Sequence, residues 1–432
     1  MTTHPHVLVI GAGYVGLATA VFLADKGCRV KVVDKNSATV TSLSHGRLHF
    51  HEPLLQTKLK QVLKSGKLLV SRPTKEHYRQ AQFIFIAIDS VDPTSWKMRL
   101  ASFKHIVTCI AETRSRTKVT VVLKSTNIIG FSDQFQRLLT ETKAADRVHL
   151  VVNPEFLREG CAFQDTCRPW RVVIGADIKA AAAPLLRLYR SVYRKTMPFI
   201  VTDCKSAELI KLGSNVYLAH RLAFIHEIAE YTRADGLDIQ AIRRGIGLDP
   251  RIGQDYFDPG LGFGGSCLPK DCHLLNSEQS STRFDFLSAR TALEINERLL
   301  DTLIDRLKSK LGKLKGKKIA ILGAAFKPEV DDTRGSQAVK LALKLRRRGA
   351  CVAFFEPYLK GHGKLVEGNF PMEDSVEAVV KAASAVIIGT AHRQFKSLKP
   401  VQATRLVRRK LVCDYYGILN QQKWQQAGFE FI

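Results

Sequence analysis

Residues 7–35 read VLVIGAGYVGLATAVFLADKGCRVKVVDK, and this stretch decides the fold of the first part of the chain. It consists of an apolar run typical of a strand, a helical pattern and a second apolar run. Gly11, Gly13 and Gly16 form G-x-G-x-x-G where the first strand meets the helix. Bare glycine backbone lets a pyrophosphate approach, and a helix N-terminus offers oriented N–H groups to its charge. The stretch therefore predicts a dinucleotide-binding β-α-β unit.

An acidic residue follows the second strand of this unit. Asp34 stands where an acid hydrogen-bonds an adenosine ribose hydroxyl, and its charge would repel the 2′-phosphate of NADP. Lys35 beside it weakens this discrimination slightly. We therefore expect NAD as the cofactor.

Further Val- and Ile-rich runs, separated by helical patterns, continue up to about residue 200. Continuous apolar strands of this kind indicate a parallel sheet covered on both faces. We therefore predict a Rossmann-like domain over residues 1–202. The runs are QFIFIAID (82–89), KVTVVLKST (118–126), RVHLVVNPEF (147–156) and WRVVIGAD (170–177).

The pattern then changes to long helices and back again. Residues 206–236 carry apolar side chains at helical spacing and end in ADG, and residues 286–312 form a second long helical stretch. From KKIAILGAAF (317–326) the alternation of strands and helices resumes. The predicted fold is α/β, with two Rossmann-like doubly wound domains, 1–202 and 312–432, joined by a central helical domain with a long helix, 203–311.

Composition limits the class of protein. The 432 residues carry a net charge of +26, which would attract polyanions, but no recognisable nucleic-acid module is present and nucleic-acid binding is not expected. The nine cysteines are scattered without a C-x-x-C pair, so we expect neither a disulfide framework nor a metal site. The sequence contains no uncharged apolar run of about 18 residues, so a membrane span is not expected. We expect a cytoplasmic protein.

Polar clusters follow two of the predicted strands, KST (124–126) and NPEFLREG (153–160). Loops at the carboxyl ends of parallel strands are where open α/β sheets bind ligands, so the two clusters are expected to face one crevice. On the long helix, Lys211 and Asn215 have the spacing i, i+4 and share one face. That pair taken alone favours a solvated stripe over a site.

The stretch GFGGSCLPKD (262–271) places a thiol beside three glycines. Pro269 suits the first turn of a helix, so Cys267 is expected just before a helix N-terminus, where the dipole favours thiolate. Glycines 262, 264 and 265 would leave room for a bulky ligand. Lys270 adds positive charge, and Asp271 lies four residues beyond the thiol. We interpret Cys267 as a covalent nucleophile.

Taken in order, these motifs resemble the UDP-glucose/GDP-mannose dehydrogenase family over almost the whole chain. Such a resemblance implies a four-electron oxidation of a sugar C6 hydroxymethyl group to a carboxylate with two NAD. It also implies a nucleotide-sugar substrate, UDP-glucose, and a homodimer or higher homo-oligomer without membrane association. The motifs are GAGYVGL, KST, NPEFLREG, SAELIKLGSN, GLDPRIG, GFGGSCLPKD and FKPEVDDTRGS.

The resemblance also implies a role for individual residues. Cys267 would carry a thiohemiacetal and then a thioester, and Arg251 would reach across a dimer interface. The implied catalytic residues are Cys267, Lys211, Asp271, Glu155, Thr126 and Asn215. The implied cofactor contacts are Gly11, Gly13, Tyr14, Val15, Gly16, Asp34, Lys35, Ser125, Thr126, Glu159, Lys270 and Arg334. The implied substrate contacts are Glu155, Phe156, Leu157, Lys211, Asn215, Arg251, Phe263, Gly264 and Lys327, and no metal is implied.

Four positions depart from the family pattern: Asp89-Ser90-Val91, Trp170, His392 and Asp414-Tyr415-Tyr416-Gly417. Three alternatives to this interpretation stay open, and the departures motivate the last of them. The substrate could be GDP-mannose or a UDP-N-acetylhexosamine, the reaction could be a two-electron oxidation of a hydroxyacid, or the chain could bind a nucleotide sugar with weak or no turnover.

Overall fold

The computed structural model describes residues 5–92, 95–113, 118–277, 284–359 and 367–432. They form two compact units. The first comprises Met1–Ser214 and Leu274–Asp285, and the second comprises Asn215–His273 and Phe286–Ile432. The finer division into three domains at residues 202 and 311 stays a prediction.

The first unit is built on a twisted sheet of eight strands. They are β1 (His6–Ile10), β2 (Arg29–Val33), β3 (Leu68–Ser71), β4 (Phe83–Ile86), β5 (Val119–Leu123), β6 (Val148–Val152), β7 (Val172–Gly175) and β8 (Phe199–Thr202). Their order in the sheet is β3-β2-β1-β4-β5-β6-β7-β8. The order reverses between β1 and β4, and such a switch point is where open α/β sheets bind ligands beyond the carboxyl ends of the strands.

One pairing in this sheet differs from the prediction. Strands β6 and β7 are antiparallel and share the single pair Val152↔Gly175, so the predicted parallel sheet contains one antiparallel pairing. The segment between these strands holds only the six-residue helix Ala162–Cys167. At 1.5 Å per residue that helix is shorter than a strand, and it does not return the chain to the starting end of the sheet.

In the described part of the chain, eight helices belong to the same unit as this sheet and pack around it. Helix α1 follows the glycine loop and is buried along nine of its twelve residues, which explains its unbroken run of small and apolar side chains. The helices are α1 (Tyr14–Asp25), α2 (Ser37–Ser44), α3 (Pro53–Lys64), α4 (Lys75–Gln80), α5 (Leu100–Glu112), α6 (Phe131–Glu141), α7 (Ala162–Cys167) and α8 (Lys179–Val192).

Helix α9 (Cys204–Asp235) is 32 residues long and contains the boundary between the two units. Helix α12 (Leu287–Leu311) presents leucines and isoleucines at helical spacing to the core of the second unit. Both helices confirm the predicted stretches 206–236 and 286–312 to within two residues. Two shorter helices lie between them, α10 (Ile239–Gly247) and α11 (Leu268–Leu275).

The second unit contains a five-stranded parallel sheet, as the fold class predicted. The order of its strands is β10-β9-β11-β12-β13, so β9, the first of them in the chain, lies inside the sheet. The strands are β9 (Lys318–Leu322), β10 (Cys351–Phe355), β11 (Ala385–Ile388), β12 (Leu411–Cys413) and β13 (Glu430–Phe431), and the helices are α13 (Gln337–Arg347), α14 (Val376–Val380), α15 (Pro400–Thr404) and α16 (Gln421–Gln426). In the described ranges, none of the helices has the length and apolarity that a membrane crossing requires.

Candidate functional site

The three glycines of the first loop have different structural roles. A Cβ on Gly11, where φ is +99°, would lie 2.3 Å from the Ala87 carbonyl oxygen, and a Cβ on Gly16 would lie 1.9 Å from the Gly11 oxygen. Both glycines are therefore required by packing. A Cβ on Gly13 would meet no protein atom within 4 Å. Gly13 instead leaves open space beside the start of α1.

The acid after β2 is tied to this loop. Asp34 accepts a hydrogen bond from the Ala12 N–H at its Oδ2 atom and one from the Asn36 N–H at Oδ1, both at 2.9 Å. These bonds fix the carboxylate beside the loop, where its remaining lone pairs can accept from ribose hydroxyls. Lys35 is exposed.

The start of α1 fits a dinucleotide pyrophosphate. Gly13 is the N-cap residue, no side chain caps the helix, and its first turn, which begins with Tyr14 and Val15, holds no acid. An anion can therefore approach the first backbone N–H groups without meeting a competing carboxylate. Together with Asp34, the glycine loop has the groups that NAD binding requires.

The two polar loops after β5 and β6 meet, as the sequence predicted. Lys124 donates to the Asn153 side-chain oxygen at 2.9 Å and to its backbone oxygen at 3.3 Å. Tyr189 on α8 donates to the same side-chain oxygen at 2.6 Å, and the Asn153 amide donates to the Val173 oxygen at 2.7 Å. Burial lowers the pKa of Lys124 to about 8. The network anchors the first residue of the 153–160 loop.

The next two residues of the first loop are held by hydrogen bonds between a serine hydroxyl and a backbone oxygen. Ser125 donates to the Ile88 oxygen at 2.7 Å, and the Thr126 backbone oxygen accepts from Ser90. Ser90 belongs to a segment that departs from the family pattern, so this departure supports the loop rather than disrupting it.

Glu155 and Lys211 form a buried ion pair within the first unit. Their Oε1 and Nζ atoms lie 3.0 Å apart, and Glu155 also accepts from the Leu157 N–H at 2.6 Å. Burial alone would raise the pKa of Glu155, but the Lys211 ammonium, the hydrogen bond from the Leu157 N–H and the charge of Lys124 together hold that pKa below its ordinary value. Lys211 is only 3% exposed, which rejects the solvated-stripe interpretation of its helix face.

An aromatic ring adjoins this pair. The Arg171 guanidinium lies 3.7 Å from the centre of the Phe156 ring, and the Lys211 ammonium lies 5.6 Å from it. Phe156 and Leu157 are half-buried, and Glu159 follows in the same loop. The 153–160 loop and helix α9 thus place a carboxylate, an aromatic face and an ammonium side by side.

In the second unit, Cys267 immediately precedes α11, as predicted. The Asp271 N–H donates to the Cys267 carbonyl oxygen at 2.9 Å, which closes the first turn, and Pro269 occupies the second helical position. The Cys267 thiol is half-buried, and its sulfur lies 3.7 Å from the Ser266 hydroxyl. All nine cysteines are thiols.

A buried carboxylate lies on the same turn of α11. Asp271 is fully buried and accepts a hydrogen bond from the Asn215 amide at 2.6 Å, while the Lys270 ammonium lies 3.1 Å from its other oxygen. Asn215 therefore fixes the carboxylate near the position of the thiol in the chain. In the described ranges, no group of three His, Cys, Asp or Glu side chains is arranged to hold a metal ion.

The structure assigns the glycines around Cys267 a role that the sequence did not predict. A Cβ on Gly262 would lie 2.4 Å from the Asn296 amide oxygen, one on Gly264 would lie 2.3 Å from the Gly335 carbonyl oxygen, and one on Gly265 would lie 2.7 Å from the Phe326 ring. The space beside each is filled by protein. These glycines let the loop pack closely, rather than leaving room for a ligand.

Two side chains that sequence reasoning missed hold the start of this loop. Asn296 on α12 accepts from the Phe263 N–H at 2.7 Å and donates to the Phe263 oxygen at 2.9 Å. Gln337 donates to the same oxygen at 2.7 Å. Both side chains are buried, Asn296 inside α12 and Gln337 at the first position of α13, and no local pattern in the sequence sets either apart.

The remaining predicted residues lie elsewhere in the second unit. Arg334 makes a bidentate pair with Asp332, with its closest contact at 2.6 Å. Arg251 pairs in the same way with Asp249, and its side chain is 87% exposed. The Lys327 ammonium lies 5.7 Å from the centre of the Phe326 ring. Each of these three contacts is with a residue one or two positions away in sequence.

The second sheet repeats the acid-to-loop contact of the first. Glu356, which follows β10, accepts from the Ala324 and Ala325 N–H groups at 2.7 and 2.9 Å. His392 is fully buried and lies 3.1 Å from Glu356 through its Nε2 atom, and its Nδ1 atom accepts from the Glu329 N–H. This departure from the family pattern thus reinforces the second Rossmann-like loop.

The departure at 414–417 is also well packed. Asp414 accepts from the Leu419 N–H at 2.7 Å, and the Tyr416 hydroxyl donates to the Gly389 oxygen at 3.0 Å. The Arg233 guanidinium lies 3.5 Å from the centre of the Tyr415 ring. Trp170, by contrast, is 88% exposed, and nothing in the structure explains it.

Three sequence models of one family match consecutive parts of the chain. The NAD binding domain of the UDP-glucose/GDP-mannose dehydrogenase family matches residues 5–194. The central domain of that family matches residues 205–298, and its UDP binding domain matches residues 320–421.

Known proteins match over nearly the full length. UDP-glucose 6-dehydrogenase from Rhizobium meliloti (strain 1021) is 33% identical, with 98% of each chain covered. UDP-glucose 6-dehydrogenase YwqF from Bacillus subtilis (strain 168) is 32% identical, covering 99% of this chain and 96% of the relative.

Two solved structures are similar in fold. A UDP-glucose dehydrogenase from Pyrobaculum islandicum superimposes with a TM-score of 0.89 at 32% identity, covering 96% of this chain and 95% of that one. A UDP-D-ManNAc dehydrogenase from Pyrococcus horikoshii superimposes with a TM-score of 0.86 at 28% identity, covering 99% and 98%.

Proposed function

Because the chain belongs to the UDP-glucose/GDP-mannose dehydrogenase family, we propose that it oxidises C6 of UDP-glucose to the carboxylate of UDP-glucuronate. Family membership makes it an NAD-dependent dehydrogenase of nucleotide sugars. The choice of UDP-glucose and the covalent route through Cys267 are the finer parts of the proposal.

The proposed route uses the thiol twice. Bound NAD supplies the hydride acceptor for each of two oxidations. The C6 alcohol first loses a hydride and a proton, and Cys267 Sγ then bonds to the aldehyde carbon, giving a thiohemiacetal. Loss of a second hydride and of the hydroxyl proton gives a thioester. Water attacks that carbon, the C–S bond breaks, and a carboxylate and the thiol are released.

This route balances. Alcohol, water and two NAD⁺ give carboxylate, two NADH and three protons. Because the aldehyde stays bound to sulfur between the two oxidations, it is not lost to solvent. A thiol is needed for this, and a two-electron dehydrogenase of hydroxyacids has no use for it.

The observation that carries the proposal is the arrangement at the start of α11. Cys267 precedes the helix, where N–H groups favour thiolate over thiol. Asp271 in the first turn is held by Asn215 at 2.6 Å and accompanied by Lys270 at 3.1 Å. A carboxylate fixed in this way is suited to accept a proton, and the Asn215 amide to orient C6 oxygens.

The Glu155–Lys211 pair would serve the oxygen chemistry. Lys211 carries the positive charge that stabilises a developing oxyanion, and Glu155, kept ionised by that lysine, can orient the hydrolytic water together with Thr126. The Lys124–Asn153 contact keeps the loop that bears Glu155 in place.

We assign cofactor binding mainly to residues of the first unit and substrate binding to residues of both units. Gly11, Gly13, Gly16, Tyr14 and Val15 would hold the pyrophosphate, and Asp34 the adenosine ribose, with Lys35 beside it. The other proposed NAD contacts are Ser125, Thr126, Glu159, Lys270 and Arg334, and the other proposed sugar-nucleotide contacts are Phe156, Leu157, Arg251, Phe263, Gly264 and Lys327. In three domains, 1–202 would bind NAD, 203–311 would supply the thiol, and 312–432 would bind UDP.

A second substrate class has its own support. The Pyrococcus horikoshii structure with a TM-score of 0.86 is a UDP-D-ManNAc dehydrogenase, so a UDP-N-acetylhexosamine is the main competitor. The higher identity to UDP-glucose dehydrogenases, 33% and 32%, favours UDP-glucose.

A substrate panel tests the proposal. Purified protein is incubated with NAD and, in separate reactions, UDP-glucose, UDP-N-acetylmannosamine and GDP-mannose, and kcat/KM is determined from NADH absorbance. We expect UDP-glucose to be preferred by at least about tenfold, with UDP-glucuronate identified by mass. Preference for another sugar would transfer the activity to that substrate. Binding of UDP-glucose without turnover of any sugar would make the chain a non-catalytic relative.

We also propose that the chain forms a homodimer through α9. Tyr217, Phe224 and Tyr231 lie seven residues apart on this helix, so they share one face, and they are 60%, 45% and 63% exposed. A stripe of large exposed aromatic side chains is typical of a protein interface. Light scattering should give twice the chain mass of 48.2 kDa. Tyr217→Glu/Tyr231→Glu should give monomers, and a monomeric parent protein would refute the dimer.

A further inference from the structure

A cavity of about 430 Å³ lies on the first unit, at the end of the sheet where the parallel strands begin. The floor of the cavity is formed by side chains of β1, β2 and β3, and the pairing of these strands sets their positions. His6 on β1 is paired with Arg29 on β2, Leu8 is paired with Lys31, and Lys31 is paired with Leu69 on β3. Because alternate residues of a strand project to the same face, these side chains form two adjoining rows on one face of three strands.

The lining of the cavity is strongly basic. Arg29, Lys31 and Lys67 contribute three permanent positive charges, and none of the described lining residues is Asp or Glu. Lys31 uses one of its three N–H donors on Gln80, at 2.9 Å. Glu76 on the adjoining helix α4 already pairs with Arg79 at 2.5 Å and accepts from Gln80.

A neutral donor and an apolar surface complete the lining. The His77 Nδ1 atom accepts from the Thr74 N–H at 3.2 Å, so the Nε2 atom carries the proton in the neutral ring. Burial and the charge of Lys31 lower the pKa of His77, so the ring is a hydrogen-bond donor at neutral pH. Leu69, 55% exposed, provides the apolar surface.

We propose that this cavity is a second ligand site, which binds a small phosphorylated molecule. Its phosphate groups would lie against Arg29, Lys31 and Lys67, and its organic part against Leu69. Charge-assisted bonds from lysine and arginine are the usual means of holding phosphate. The volume falls in the range of small-molecule sites, roughly 300–1,000 Å³.

This site is separate from the proposed cofactor loop. It uses the first residues of β1 and β2, whereas Gly11 and Asp34 follow the last residues of the same strands. A five-residue strand is about 17 Å long, so one molecule on the cavity floor does not occupy the glycine loop. The inference therefore goes beyond the proposed oxidation and does not depend on it.

Calorimetric titration with inorganic tripolyphosphate tests the site while the protein is saturated with NADH and UDP, so that other phosphate sites are filled. We expect one equivalent to bind the parent protein. Lys31→Gln/Lys67→Gln should weaken binding by at least about tenfold. The matched control is Lys60→Gln/Lys64→Gln on helix α3, because both residues are exposed, lie outside the lining and change the net charge equally.

The control separates a built site from general attraction to a chain of charge +26. Equal affinity in the two double variants, or no saturable binding by the parent, would overturn the proposal. Leu69→Ser should weaken adenosine triphosphate but not tripolyphosphate. The proposal would fail if a single-stranded oligonucleotide displaced tripolyphosphate and if, in addition, adenosine triphosphate bound no more tightly than tripolyphosphate. The surface would then be a nucleic-acid contact. Turnover of Lys31→Gln/Lys67→Gln is expected to be unchanged, so either proposal can fail alone.

Discussion

The Lys211 Nζ atom lies 3.0 Å from Glu155 Oε1, and both side chains are more than nine-tenths buried. Two residues 56 positions apart in the chain thus form an ion pair, and neither charge would be stable in this buried environment without the other. A buried charge without its partner costs several kcal/mol, whereas removing both charges costs much less. The pair is therefore both a candidate part of the reaction and a measurable part of the stability.

Breaking this pair from one side should destabilise the protein more than removing it. We expect Lys211→Met to lower the free energy of unfolding by about 3 kcal/mol, and Lys211→Met/Glu155→Gln to recover at least about half of that loss. Urea unfolding of the full chain measures both values. If the double variant is less stable than Lys211→Met, the two residues do not interact as the distance indicates.

The role of Cys267 can be separated from that of a packing cysteine. Cys267→Ser should reduce the steady-state formation of UDP-glucuronate by more than about a thousandfold and leave UDP-glucose binding within about twofold, because the thiohemiacetal and the thioester cannot form. Cys272→Ser, at a fully buried position one turn further along α11, is the control and should mainly affect stability. Turnover by Cys267→Ser at the rate of the parent protein would exclude the thiol as nucleophile.

The glycine loop makes opposite predictions for two of its members. Gly13→Ala adds a methyl group that meets no protein atom within 4 Å, so stability should change by less than about 0.5 kcal/mol while NAD affinity falls by at least about tenfold. Gly16→Ala places a methyl group 1.9 Å from the Gly11 oxygen and should destabilise the protein by about 2 kcal/mol or more. Thermal unfolding and NADH fluorescence report the two effects. Unaltered NAD binding by Gly13→Ala would place the pyrophosphate elsewhere.

Lys124 gives the stability a specific pH dependence. Burial lowers its pKa from 10.5 to about 8, so between these values the unfolded chain binds more protons than the folded one. The contribution to stability is therefore fully present above about pH 10.5 and is lost as the pH falls through about 8. Relative to Lys124→Met, the parent protein should gain free energy of unfolding between pH 8 and 10. A difference between the two proteins that does not change with pH would show that Lys124 is not buried as described.

The parts of the fold that depend on strong local patterns were predicted from the sequence. The glycine loop, the helix Cys204–Asp235 and the position of Cys267 before α11 each follow from periodicity or from a glycine or proline within a few residues. Strands β3, β8 and β13 were missed, because they are short edge strands with exposed residues, and no apolar run within them is longer than three residues.

The contacts that complete the site could not be derived from local patterns. Asn296 reaches Phe263 across 33 positions and Gln337 across 74, and the Glu155–Lys211 pair spans 56. Such pairings are fixed by tertiary packing rather than by spacing. The close approach of the Gly335 oxygen to Gly264 arises in the same way, which is why the glycines beside Cys267 were misinterpreted as space for a ligand.

The yield of NADH from a limiting amount of UDP-glucose tests the covalent four-electron route most directly. Excess NAD and purified protein are incubated with a known quantity of the sugar until absorbance at 340 nm stops rising. The route through Cys267 predicts two NADH for each UDP-glucose consumed, with no aldehyde trapped by added hydroxylamine. One NADH per sugar, with the aldehyde recovered as its oxime, would contradict it.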